Sequence, residues 1–137
     1  MAPLLTTKAI NAVTMEGLQE MDFGDWTGLT FDALAHRPEW LAFNARRSAA
    51  DVPGGERAPA VQARIVSTLE RLRAAHPGTM MAAVSHADVI RAAVLHYAGA
   101  PLDMVHRIEI SPASITALAF GPEGPRLRYV NHRPLDD

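Results

Sequence analysis

Apolar and polar positions alternate with two different periods along this chain, and the change of period marks out its elements. Val61, Ile65, Leu69 and Leu72 recur at spacings of four and three, which predicts an amphipathic helix whose other faces carry Arg64, Glu70, Arg71 and Arg73. That helix is expected to stop before His76-Pro77-Gly78, because proline and glycine do not continue helical backbone. Residues 80–84, MMAAV, then form a short unbroken apolar run after a turn, the pattern of a strand covered on both faces. From Asp88 helical spacing resumes with Ile90, Ala93, Val94 and Tyr97, ending at Gly99 and Pro101. Helix, strand and helix in succession predict an α/β layer architecture around a mainly parallel sheet.

The flanking segments are less regular. Ala9, Ile10 and Val13 lie on one side of a short helix expected over residues 5–13. LQEMDFGDWTGLTFDAL, punctuated by Gly24 and Gly28, reads as an irregular loop that becomes helical near Thr30. HRPEWLAFNARRSAADVPGGE reads as a helical excursion closed by a turn at Pro53-Gly54-Gly55. Residues 107–120 alternate enough for one strand interrupted at Pro112, and GPEGP then turns the chain into a second strand, RLRYVN.

With 137 residues and 48% hydrophobic content, the chain is expected to form a single domain, 1–137, with one modest core. A formal charge of −2 argues against the broad basic surface that nucleic acid or anionic lipid requires, so neither is expected as a partner. The absence of cysteine removes disulfides, thiolate nucleophiles and cysteine-based metal sites. No pair of histidines has the i, i+4 spacing that sets two ligands on one helix face, so no metal and no cofactor is expected. The first residues do not read as a signal peptide, and no stretch is long and charge-free enough to span a bilayer. A cytoplasmic location is therefore expected.

Candidate chemistry gathers at two places. His86 stands where the apolar run hands over to a helix, and a helix N-terminus beside an imidazole offers donors and positive potential to the same phosphate oxygens. A plain helix cap is the alternative. Glu20 and Asp22 lie on a glycine-punctuated loop beside Phe23 and Trp26, where a carboxyl kept protonated can act as a general acid. The alternative is a solvated acidic loop with Trp26 in the core. His36, His76, His96, His106 and His132 read as surface or helix-end histidines, and Arg46-Arg47 as a solvated pair unless it meets a substrate carboxylate or phosphate.

LQEMDFGDWTG, PGGE, VSHADVIRAAV and ISPASITALAF…RLRYVNHRP, taken in order, resemble successive landmarks of the histidine phosphatase superfamily, the phosphoglycerate mutase-like group. The resemblance implies a three-layer α/β sandwich with a mainly parallel sheet and a phosphomonoester hydrolase acting on a small phosphorylated metabolite. It matches Glu20 to the acid that protonates the leaving alkoxide and His86 to the histidine that holds the phosphoryl oxygens. The main-chain N–H of Ala87, where the family often has glycine, would lie against the same phosphate. Phosphoryl transfer asks chiefly for positioning and charge neutralisation, which suits this division of labour. Residues 31–50 would cover the pocket.

One departure from the family pattern is large. Its members begin with a strand ending in Arg-His-Gly, whose histidine is the phosphorylated nucleophile, and no Arg-His-Gly occurs in these residues. The Ser-Pro-Leu-x-Arg landmark is replaced by Ala2-Pro3-Leu4, with Thr6-Thr7 and no arginine. The resemblance thus implies an N-terminally truncated member, inactive as written, with a non-catalytic anion-binding remnant as the alternative. Losing that strand would leave residues 80–84 with an open sheet edge, so self-association is expected.

Overall fold

The computed structural model describes residues 10–134. The described residues form four α-helices and one hairpin: α1 (Phe31–Leu34), α2 (Pro38–Ala45), α3 (Ala58–Ala75), α4 (Ala87–Ala98), β1 (Ile115–Gly121) and β2 (Gly124–His132). Single 3-10 turns form at Glu16–Leu18 and Gly24–Trp26, and a longer 3-10 segment at Leu102–Arg107. The helix boundaries follow local chemistry. Thr30 caps α1, its hydroxyl accepting the Ala33 N–H at 3.2 Å, and Pro38 opens α2 with its φ already helical. α3 gives way at His76 ahead of Pro77, and α4 ends on Gly99 in the left-handed conformation at φ 67°.

α3 and α4 pack against each other, with Gln62 of α3 donating to the Ala92 carbonyl of α4 at 2.9 Å. Their interface continues into one core of Met21, Trp26, Leu34, Phe43, Val52, Val61, Ile65, Val89, Leu95, Leu102 and Val105. The buried stripe of α4 is wider than its spacing predicted, running through Val89 and from Ala92 to Leu95. Phe43 is fully buried, and Trp26 meets it edge-on at a centroid distance of 5.3 Å. α1 and α2 are thereby anchored to the same core as the Glu20 loop.

The expected parallel sheet is not seen among the described residues. Among the described residues the only ladder is the antiparallel hairpin β1–β2, which runs from Ile115↔His132 to Gly121↔Gly124 through an irregular register near Ala117. Residues 80–84, predicted as a strand covered on both faces, belong to no ladder, and Met80, Met81 and Val84 are exposed. The physical reason is that an apolar run becomes a covered strand only when other strands and helices pack beside it, and no described residue pairs with this one. The part of the expected 107–120 strand that precedes Pro112 is likewise absent: residues 108–111 belong to no ladder, and they follow a 3-10 segment, Leu102–Arg107, that buries Leu102 and Val105 in the core. The expected helix over 5–13 lies mainly outside the described residues; residues 10–13 are exposed and not helical. No described helix is long and apolar enough to cross a membrane.

Candidate functional site

Glu20 and His86, 66 positions apart in sequence, meet across the end of α4. His86 is the residue preceding α4, extended at φ −114° and ψ 160°, and its side chain makes no capping bond. The first-turn N–H groups of a helix have no carbonyl partner within it, so Ala87 opens α4 with its amide directed out of the helix start. Glu20 sits between the two short 3-10 turns, in backbone with no ladder of its own. Its Oε1 accepts the Met21 N–H at 2.8 Å, and its Oε2 lies 3.6 Å from His86 Nδ1. Both side chains are about half exposed, 40% for Glu20 and 53% for His86, so the pair faces solvent and a ligand can reach it.

The loop and the helix are joined directly. Ser85 donates its hydroxyl to the Leu18 carbonyl at 2.8 Å, which brings the backbone before His86 against the backbone before Glu20. Met21, buried in the core immediately after Glu20, anchors the loop from below. Gly17 lets it lie on α3, because a Cβ there would collide with the Thr68 hydroxyl.

Pro53-Gly54-Gly55-Glu56 packs on the far side of the same loop. Asp25 donates its N–H to the Pro53 carbonyl at 2.8 Å, and Glu56 donates its N–H to the Asp22 carbonyl at 2.8 Å. Glu56 Oε2 accepts the Asp22 N–H at 3.0 Å. The Glu56 carboxyl is also held in a two-pronged pair by Arg64, Nε to Oε1 at 2.9 Å and Nη2 to Oε2 at 3.0 Å. Hydrogen bonding from Arg64 draws its pKa below the ordinary glutamate value, against the opposing effect of partial burial. Asp22, paired with Glu20 in the sequence reading, turns its carboxylate to its own loop and accepts the Gly24 N–H at 2.9 Å.

Arg64, read from the sequence as one charge on a polar helix face, instead reaches the acidic loop. Helical spacing tells which face a residue occupies but not which loop will lie over that face. Arg47 also departs from expectation. Far from being solvated, it is 7% exposed, with its guanidinium 3.8 Å over the Phe43 ring and Nη1 bound to Asp88 Oδ2 at 3.2 Å. Asp88 lies in the first turn of α4 and takes a second cation, Arg91, at 3.0 Å. Arg46 remains exposed.

His36, His76, His96, His106 and His132 are exposed, and His86 alone of the six histidines comes within ion-pair range of a described carboxylate. Among the described residues no group of three or more His, Asp or Glu side chains is placed to hold a metal ion.

The sequence matches the histidine phosphatase superfamily (branch 1) over residues 1–133. It is 30% identical over 125 residues to a bifunctional protein of Mycobacterium tuberculosis, covering 90% of this chain and 34% of that protein. The chain therefore spans about a third of the length of this relative. The fold superposes on a solved mycobacterial glucosyl-3-phosphoglycerate phosphatase in complex with inorganic phosphate, with a TM-score of 0.79, 26% identity and coverage of 96% of this chain and 70% of that one. It also superposes on YhfR of Bacillus stearothermophilus, with a TM-score of 0.87 and 21% identity over 96% of this chain and 66% of that one, a likeness of fold alone.

Proposed function

The chain belongs to the histidine phosphatase superfamily, and we propose that its residues supply the proton-donating and phosphate-holding half of a phosphomonoester hydrolase site for a small phosphorylated metabolite. The observation that carries this reading is the approach of Glu20 Oε2 to within 3.6 Å of His86 Nδ1 at the open end of α4. In the proposed reaction, His86 and the Ala87 N–H hold the nonbridging phosphoryl oxygens as negative charge shifts toward the leaving group. The Glu20 carboxylic acid passes its proton to the bridging oxygen while the P–O bond breaks, so the product leaves as an alcohol. The phosphoryl group passes to a histidine nitrogen and from there to water, as the family's phosphohistidine chemistry requires.

These 137 residues contain no Arg-His-Gly run and hence no candidate for that nucleophilic histidine. The proposal therefore separates binding from turnover: by themselves these residues bind an oxyanion and do not complete the cycle. A non-catalytic anion-binding role is the second reading, favoured by the same lack of a nucleophile. No cofactor and no metal enters either one.

The reading treats 1–137 as one domain, part of the three-layer architecture with a mainly parallel sheet, in the cytoplasm. Residues 31–50 would shape the cover over the substrate. It also proposes self-association: residues 80–84 are exposed and pair with no strand among the described residues, and a second copy can pair with them.

Thermal unfolding with orthovanadate tests the central claim. Vanadate is expected to raise the melting temperature of the 137-residue chain, and His86→Ala is expected to abolish the rise. An unchanged melting temperature in the parent chain would overturn the proposal.

A further inference from the structure

Arg64 commits every donor it has. Its guanidinium carries five N–H groups in a rigid fork. Nε and Nη2 grip the Glu56 carboxylate, Nη1 donates to the carbonyls of Gly17 at 3.0 Å and Gln19 at 2.9 Å, and Nη2 also donates to the carbonyl of Glu20 at 3.1 Å. Three of the four backbone carbonyls from Gly17 to Glu20 thus end on one side chain. The fourth, Leu18, accepts the Ser85 hydroxyl. Beyond Met21 the grip continues through Glu56, which accepts the Asp22 N–H and donates its own N–H to the Asp22 carbonyl.

We infer that Arg64, acting with Glu56, is a positioning residue that sets the direction of the Glu20 carboxyl toward His86. The inference rests on the reading of Glu20 and His86 as an oxyanion site. Glu20 lies in backbone that belongs to no helix or strand, so neither a ladder nor a helical repeat holds its φ and ψ. Its side chain is 40% exposed and is not wedged by packing. What restrains the Cα–Cβ direction is the backbone on either side, and that backbone is held from the rigid, 18-residue α3 by one planar cation. α3 is itself seated in the core by Val61 and Ile65 on either side of Arg64, so the guanidinium starts from a fixed base. Carbonyl dipoles gathered around a cation also resist a flip of any one peptide, since a flip would turn an N–H toward the charge.

Lysine cannot replace this arrangement. It has three donors and no planar fork, so it can keep a charge near Glu56 but cannot hold the carboxylate two-pronged and three carbonyls together. A purely structural staple would affect all ligands alike. A positioning role affects most the ligand that needs the Glu20 carboxyl in place.

The test compares two probes on the folded 137-residue chain, inorganic phosphate and orthovanadate, with affinities from calorimetry at a fixed pH. Vanadate can add a water as its fifth ligand and take the five-coordinate shape whose apical oxygen accepts a bond from Glu20. The vanadate-to-phosphate affinity ratio therefore reports the carboxyl's placement. Glu20→Ala, which removes the donor, is expected to lower that ratio by about tenfold, the order of one hydrogen bond to a charged group. Arg64→Lys is expected to lower it similarly, and Glu20→Ala with Arg64→Lys no further. Glu56→Gln, which keeps the side chain's size, is expected to lower it by a smaller factor and serves if Arg64→Lys does not fold. If Glu20→Ala lowers the ratio but Arg64→Lys and Glu56→Gln leave it unchanged, or add to the Glu20→Ala effect, the positioning role is overturned and the oxyanion site stands. If the parent chain binds neither probe, or Glu20→Ala leaves the ratio unchanged, the site reading itself falls.

Discussion

Arg47 Nη1 lies 3.2 Å from Asp88 Oδ2, a contact that ties the end of the α2 segment to the first turn of the helix that His86 precedes. Both partners are largely covered, with side chains 8% and 18% exposed, and Arg47 Nε is buried without a hydrogen-bond partner. The pair is therefore a link between the segment proposed to cover the pocket and the element that presents the phosphate-holding groups.

Removing either end of that link should have unequal effects. Asp88→Asn leaves the buried Arg47 charge uncompensated and is expected to destabilise the fold by about 3–5 kcal/mol. Arg47→Met keeps much of the packing on Phe43 and removes the unsatisfied Nε, and Asp88 retains Arg91, so a loss of about 1 kcal/mol or less is expected. Urea unfolding of the two variants checks the order. Equal losses would mean that the charge pair is not what holds the two segments.

Phe43 is the centre of the aromatic group that seats α1 and α2, touching Trp26, Trp40, Phe23 and the Arg47 guanidinium. Phe43→Ala is expected to cost about 3–5 kcal/mol, because a fully buried ring leaves a cavity that neighbouring rings cannot close. Phe31, which is 78% exposed, provides the control: Phe31→Ala is expected to stay within about 0.5 kcal/mol in the same denaturant series.

Glu56 makes the fold sensitive to acid in a defined direction. Its pKa in the folded chain lies below the ordinary value of 4.5, chiefly through the hydrogen bond from Arg64. A lowered folded value means that the contribution to stability is present above about 4.5 and fades as the pH falls through the folded value. The unfolding midpoints of the parent chain and Glu56→Gln should accordingly differ at pH 7 and draw together as the pH is lowered below 4.5. A gap that widens in acid would reverse the assigned sign.

Hydrolysis of p-nitrophenyl phosphate separates binding from turnover. The 137-residue chain is expected to hydrolyse it only at background rates, with Glu20→Ala and His86→Ala indistinguishable from the parent while circular dichroism shows all three folded. Turnover that disappears in His86→Ala would reveal a nucleophile within these residues and overturn the division proposed here.

The exposed run at 80–84 should respond to a single charge. Sedimentation at micromolar concentration is expected to show association, and Val84→Lys, which places an ammonium on the exposed segment, is expected to return the chain to monomer. A monomer in the parent chain under the same conditions would remove the proposal of strand pairing between copies.

Local pattern alone determined a good deal of this protein. The four- and three-residue spacing from Val61 to Leu72 and the breakers at Pro77 and Gly78 placed α3, and Gly99 placed the end of α4, since helical period and capping act within a turn or two of chain. The turn around Glu123 placed the hairpin for the same reason, and the order of the motifs around Glu20 and His86 pointed to the family. Tertiary structure decided what depends on partners far along the chain. Residues 80–84 have a strand's composition, yet covering them takes neighbours that local sequence does not encode, and among the described residues none pairs with them. Arg47 and Arg64 look alike in a helical pattern, but one is buried over Phe43 and the other spends its five donors on Glu56 and the Glu20 loop. The destination of a long charged side chain is set by which loop folds over it, and that choice is made only when the whole core closes.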